Sequence, residues 1–96
     1  MPDTPAVEHD TAAHRFVIRL DGREAFLAYR QSGTTLDFYH TFVPPEFRGR
    51  GLAEQVVRAG FEYAKAQHLT VIPTCPYISA TYLKRHAEYQ PLVTSS

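Results

Sequence analysis

The hydrophobic period of this chain changes from that of strands to that of a long helix at Pro44-Pro45, close to the middle of its 96 residues. Before the two prolines apolar and polar residues alternate; in the long run that follows them apolar residues recur every three or four positions. A period of two is that of a strand with one buried face, and a period near 3.6 is that of a helix with one buried stripe. Neither proline can donate to a sheet ladder. The chain is therefore expected to build a sheet that stops at the prolines, followed by a helix that packs on it.

Three alternating runs precede the change. Phe16, Ile18 and Leu20 alternate with Arg15, Val17 and Arg19. Asp21-Gly22 is a hairpin signal. Ala25, Leu27 and Tyr29 then oppose Glu24, Phe26, Ala28 and Arg30, and Ser32-Gly33 closes that run. From Thr35 to Val43 the alternation puts Leu36, Phe38, His40 and Phe42 on one face and Asp37, Tyr39 and Thr41 on the other. Short turns between such runs make an antiparallel meander.

After the prolines Leu52, Ala53, Val56, Val57, Gly60, Phe61 and Ala64 form an apolar stripe, with Glu54, Arg58, Glu62 and Lys65 mainly opposite, so a helix is expected over about 51–67. Thr70 to Pro73 reads as a short strand. Reached through a helix, it should join the sheet parallel to the third strand. A second helix is expected over about 77–87, with Ile78, Tyr82 and Leu83 as its apolar stripe. The fold class is α/β, in the order β-β-β-α-β-α: a three-strand antiparallel meander plus one parallel strand in a mixed sheet, with two helices. Residues 1–13 are polar and aperiodic and read as a flexible lead-in; 14–94 read as a single domain.

Ten basic and ten acidic residues balance, which removes the global field that draws nucleic acid or an anionic membrane. The one cysteine, Cys75, cannot form an intramolecular disulfide, and His9, His14, His68 and His86 show no metal-ligand spacing, so no metal is expected. The start lacks the basic and apolar regions of a signal peptide, and no apolar run approaches the roughly 20 residues that span a bilayer. No nucleic acid, no membrane and a cytoplasmic location are the expectations.

The charge is concentrated at one place. Arg48-Gly-Arg-Gly51-Leu-Ala53 lies between the sheet pattern and the helix pattern. The first turn of a helix has backbone N–H groups without internal partners and carries partial positive charge. Glycines admit a bulky anion to those groups, and arginines add charge-assisted bonds. Val43 to Ala53 thus reads as an anion cradle suited to a pyrophosphate. It lacks the GxxxxGK[ST] and GxGxxG spacings of other phosphate loops.

These residues resemble the [Q/R]-x-x-G-x-[G/A] motif of the GNAT superfamily of N-acetyltransferases. From His40 to Val93 the chain is similar to the minimal (Yjdj-type) branch, through His-Thr-x-Val-Pro, Arg-Gly-x-Gly-Leu-Ala, Val-x-Pro-x-Cys-Pro-Tyr and Arg-His-x-Glu-Tyr in order. The resemblance implies a truncated GNAT-like fold that binds acetyl-CoA in a V-shaped gap between the third and fourth strands. A bulge around Phe42 and Val43 would free backbone groups for the pantetheine arm. The backbone of Arg48, Gly49, Arg50, Gly51, Leu52 and Ala53 would hold the pyrophosphate.

Near the acyl end stands Cys75, past the C-terminal end of the fourth strand and before a helix, a position that favours both ligand contact and thiolate formation. It is either a nucleophile that carries the acetyl group or a residue that lines the pocket during direct attack by the amine. The superfamily's Asn-x-x-Ala-x-x-x-Tyr segment, laid on this chain, puts Cys75 at the Asn, Ile78 at the Ala and Tyr82 at the Tyr that protonates the leaving thiolate. Related sequences carry a carboxylate where Phe42 stands, so His40 is the candidate base. The resemblance implies an acetyl-CoA-dependent N-acetyltransferase acting on a primary amine, as a monomer or weak dimer. The alternative is an acyl-CoA or CoA-binding module with little turnover.

Overall fold

A computed structural model describes residues 7–94. Five strands form one sheet in sequential order: β1 (Glu8–Asp10), β2 (Arg15–Leu20), β3 (Arg23–Ser32), β4 (Thr35–Phe42) and β5 (Thr70–Ile72). The first four pair antiparallel, and β5 runs parallel to β4. Helix α1 (Leu52–Ala66) makes the crossover from β4 to β5. The mixed α/β sheet matches the order expected, with one strand more.

That strand is β1. It lies inside the stretch read as a flexible lead-in, of which residues 1–6 fall outside the described residues. Glu8–Asp10 pairs with Val17 to Arg15. His9 explains the ordering. Its ring stacks on Phe16 with centroids 4.1 Å apart and bonds the Tyr29 hydroxyl at 2.6 Å. A three-residue run is too short for alternation to reveal, and here an imidazole serves as the core-facing residue.

The two hairpins form where the turn residues allow. Asp21 and Gly22 both have positive φ, 52° and 76°, the combination whose twist matches the flanking strands. Gly33, at φ 59°, opens the two-residue turn between the paired Ser32 and Thr35.

The core lies between the sheet and α1. Phe16 and Ile18 of β2, Ala25, Leu27 and Tyr29 of β3, and Leu36 and Phe38 of β4 meet Leu52, Val56, Val57, Phe61 and Ala64. Gly60 sets how closely the helix approaches: a Cβ there would lie 2.8 Å from Leu27 Cδ2 and 2.9 Å from Phe38 Cζ.

On β4 the expected alternation fails halfway. Ala28 pairs with His40 and Tyr29 with Phe38, so Tyr39 is an extra residue with no partner on β3. One inserted residue reverses every side chain beyond it. Leu36 and Phe38 face the core, but His40 and Phe42 turn to the outer face, where both rings lie near Phe26, at 5.8 and 5.7 Å. Thr41 takes the inward position instead. The bulge therefore sits at Tyr39 rather than around Phe42 and Val43.

The expected second helix is also broken. Ile78–Tyr82 is a π turn, Leu83–Arg85 (α2) a single α turn, and Ala87–Leu92 a 3-10 stretch. The π turn inserts one residue into the helical phase, so an apolar stripe counted at 3.6 residues per turn loses register there. The tail is pinned by Tyr89, whose ring stacks on Phe61 at 4.9 Å and whose hydroxyl donates to Glu62. Val93 then bridges Val71 of β5.

Candidate functional site

Strands β4 and β5 part company early. Their register runs only from Thr35–Thr70 to Asp37–Ile72, followed by one further bond from Cys75 N–H to the Phe38 carbonyl at 2.9 Å. Beyond it β4 continues to Phe42 beside β3 alone, while the other strand turns into the π segment. A gap thus opens in the sheet along Tyr39 to Val43, at the carboxyl ends of two parallel strands, the usual place for ligands in such sheets.

The cradle borders this gap. Pro45–Phe47 makes a single 3-10 turn with Phe47 buried beneath it. The chain then passes through Gly49 at φ 87° and Gly51 at φ 77°, and Gly51 caps α1 in the left-handed conformation with no side-chain cap bond. Two left-handed glycines within three residues let the loop fold back so that the helix begins with its N–H groups uncovered. A Cβ on either glycine would meet no atom within 4 Å, so both face open space. Arg48 holds the loop to the sheet through Nε, which donates to the Val43 carbonyl at 3.2 Å.

A cavity of about 390 Å³ opens there, lined by Val43, Phe47, Arg48, Gly49, Gly51, Leu52, Ala53, Glu54, Tyr77 and Arg85. Six of the eight residues assigned to cofactor binding from the sequence meet in it. Arg50 and Phe42 do not. The Arg50 guanidinium lies over the Phe47 ring, 5.2 Å from its centroid, and Phe42 stands on the outer sheet face. Three lining residues escaped sequence reading. Tyr77 follows the Cys75-Pro76 pair that did draw notice. Glu54 and Arg85 face each other across the cavity, with Arg85 Nη1 3.4 Å from Glu54 Oε2. Among the described residues that ion pair holds the cavity's one carboxylate against a cation. Burial, followed by the nearby Glu54 charge, raises the Tyr77 phenol above its ordinary range and keeps it protonated.

The candidate catalytic residues are distributed differently. Cys75 is buried at 6% exposure, and its Sγ donates to Thr41 Oγ1 at 3.5 Å across the base of the gap. It does not line the cradle cavity. His40 is exposed on the opposite face of the sheet, next in sequence to Thr41. Tyr82 is only 1% exposed, packed parallel to Phe61 and 4.3 Å from the His86 ring. It lies seven positions after Cys75, two turns of a regular α-helix, but the π turn between them breaks that spacing. It borders a second cavity of about 240 Å³ with Gly51, Glu54, Gln55, Arg58 and His86. Burial is the main cause that drives its phenol far above the ordinary tyrosine range. The structure therefore does not bring Cys75, Tyr82 and His40 into one cavity.

Among the described residues no group of three or more His, Cys, Asp or Glu side chains could hold a metal ion, and no helix is long and apolar enough to cross a membrane.

The described chain is an α/β domain with a mixed sheet whose parallel strands part beside an uncapped, glycine-rich helix N-terminus. Comparison with known proteins gives its family. The chain belongs to the GCN5-related N-acetyltransferase family, whose model matches residues 15–92. It is similar to Protein NATD1 of Xenopus tropicalis, with 39% identity over 83% of this chain and 75% of the relative. To Protein NATD1 of Homo sapiens it is 36% identical over 83% of this chain and 73% of the relative. The solution NMR structure of a GCN5-like protein from Staphylococcus aureus superimposes with a TM-score of 0.73, covering 99% of this chain and 93% of the other at 21% identity, which establishes the shared fold. Family and fold together support acetyl transfer as the general activity.

Proposed function

We propose that this chain is an N-acetyltransferase that takes its acetyl group from acetyl-CoA and delivers it to a primary amine. The observation that carries the reading is the cradle: two left-handed glycines open toward solvent, uncovered N–H groups at the start of a 15-residue helix, and Arg48 beside them. These groups fit a diphosphate, which needs convergent N–H donors and positive charge more than any particular side chain. Gly49, Gly51, Leu52, Ala53 and Arg48 would hold the diphosphate of CoA. The free edge of β4 from Tyr39 to Val43 would receive the pantetheine arm.

The gap between β4 and β5 opens to both faces of the sheet. The cradle lies on the α1 side, and His40 lies on the outer side. An amine approaching from the outer face would meet His40 before the acyl carbon, which supports His40 as the base that takes the ammonium proton. The cleaved carbon–sulfur bond leaves its electron pair on sulfur. A thiol of ordinary pKa near ~8.5 is a competent leaving group at neutral pH, so the step asks less of an acid than of a base. Cys75, buried against Thr41, suits a residue that shapes the base of the gap.

Calorimetric titration with CoA and acetyl-CoA, followed by thiol release across a panel of amines, tests the proposal. Micromolar binding of both, with turnover on at least one amine that His40→Ala slows at least tenfold, is the expected result. Binding without turnover on any amine would favour a CoA-binding module, and absence of binding would remove the reading. Intact mass after acetyl-CoA treatment, with Cys75→Ala as control, separates direct attack (no adduct) from a covalent route (one acetyl on Cys75).

A further inference from the structure

Arg30 and Asp37 stand directly opposite each other on β3 and β4, with only the Tyr29–Phe38 pair between them and the bulge. Opposite charges placed this way on one sheet face ordinarily pair with each other. Among the described residues these two do not. Each is turned to another partner. The Arg30 guanidinium lies over the Tyr39 ring, 4.5 Å from its centroid. The Asp37 carboxylate accepts a hydrogen bond from the Thr74 hydroxyl, at the place where β4 and β5 part.

The gap depends on both of these partners. Tyr39 is the residue that β3 leaves unpaired, and at 37% exposure its ring is not held by the core. A bulged strand that slips back by one residue regains regular pairing and reverses every side chain beyond the bulge. Here the slip would turn His40 toward the core side and Thr41 away from the Cys75 thiol. A flat guanidinium is attracted to the face of an aromatic ring, so Arg30, fixed in β3, anchors the inserted residue itself. Thr74 precedes Cys75, whose N–H makes the last backbone bond to β4, to the Phe38 carbonyl at 2.9 Å. The bond from Thr74 to Asp37 thus reinforces the one backbone bond that marks where the gap begins.

From this we infer that Arg30 and Asp37 are positioning residues for acyl transfer, each holding one edge of the gap. Arg30 keeps the bulge that aims His40 outward and Thr41 inward, and Asp37 fixes the point at which the chain after β5 leaves β4. This rests on the acetyltransferase reading above and adds two residues that act without touching the acyl group or CoA. Reacting groups misplaced by about 1 Å can lose about 100-fold in rate. Side chains that set the phase of one strand and the start of the gap therefore bear on turnover from a distance.

The test uses the full chain with Arg30→Ala, Asp37→Ala and Asp37→Asn. Cys75, the one cysteine, reports on the gap without any need for activity. Its labelling by a thiol reagent should be slow in wild type, where it is buried against Thr41, and about tenfold faster in both alanine variants. CoA affinity should stay within about threefold of wild type, because the cradle is untouched. For an amine that wild type accepts, kcat should fall about tenfold with KM within about threefold. Asp37→Asn should match wild type in labelling and kcat, since an amide oxygen still accepts from the Thr74 hydroxyl. Unchanged labelling in Arg30→Ala, or an Asp37→Asn variant as impaired as Asp37→Ala, would overturn the inference. So would a rise in amine KM alone for Asp37→Asn, which would make the carboxylate a substrate contact. Wild type that turns over no amine would remove the acetyltransferase reading, and the labelling rates would then decide whether the two residues hold the gap. A thermal melt of each variant confirms that the comparison is made on folded protein.

Discussion

Gly51 and Gly60 lie nine residues apart, at the start and in the middle of one helix, and they are glycine for opposite reasons. At Gly60 a Cβ would press on Leu27 and Phe38, two fully buried core side chains. At Gly51 a Cβ would touch nothing, and the requirement is the left-handed backbone that starts α1 with its N–H groups open. One glycine brings the helix onto the sheet, and the other keeps the end of the same helix available. The contrast teaches that α1 is divided along its length. Its middle holds the fold together, while in its first turn only Leu52 enters the core and the backbone N–H groups are left free for a ligand.

Substitutions at the two glycines should separate the two roles. The largest effect is expected for Gly51→Glu, which sets a carboxylate at the positive end of the helix dipole and in the path of a diphosphate; CoA affinity should fall by about 100-fold or more. The left-handed backbone adds a strain of about 1–2 kcal/mol, so the variant should still melt cooperatively, at a somewhat lower temperature. Retained affinity in calorimetry would break the contrast. Gly60→Val should do the reverse, losing about 2 kcal/mol through overpacking against Leu27 and Phe38. Its CoA affinity, measured well below the melting midpoint, should remain near wild type. Urea denaturation gives the first quantity and calorimetry the second.

Arg48→Ala tests the loop from the other side. It removes a guanidinium beside the cradle and the tie from Nε to the Val43 carbonyl. Affinity for CoA should fall about tenfold, with little change in melting temperature, because Arg48 is exposed and outside the core. Equal losses of stability and binding would mean that the loop is part of the fold's support.

The smallest effect concerns the opposite edge of the sheet. Burial lowers the pKa of His9 below the ordinary 6.5, outweighing the upward pull of Asp10. Between that lowered value and about 6.5 the unfolded chain binds more protons than the folded one. Stability should therefore rise with pH across this window and fall as pH drops below about 6.5. His9→Phe, which keeps the stack on Phe16, should flatten that part of the profile. An unchanged slope in denaturation midpoints between pH 5 and 7 would assign the dependence elsewhere.

What could be read from the sequence follows the same division. The meander, α1 and the parallel strand were legible because long regular runs such as Leu52–Ala66 keep one hydrophobic period. The cradle was legible because Arg-Gly-Arg-Gly stands where strand period gives way to helix period. What escaped were single inserted residues. Tyr39 shifts β4 by one and moves His40 and Phe42 to the outer face. The π turn at Ile78–Tyr82 breaks the α-helical register counted from Cys75 to Tyr82. Neither leaves a mark in composition or spacing, since an alternation looks the same on both sides of a bulge. The strand at Glu8–Asp10 was missed for a third reason: it is held by the ring contacts and hydrogen bond of one histidine.

The most direct test of the cradle is titration of ¹⁵N-labelled protein with CoA, followed by amide shifts. The largest movements are expected at Gly49, Gly51, Leu52 and Ala53, with the core amides of β2 and β3 nearly still. CoA binding that leaves these four amides unmoved while shifting others would contradict the assignment of this loop.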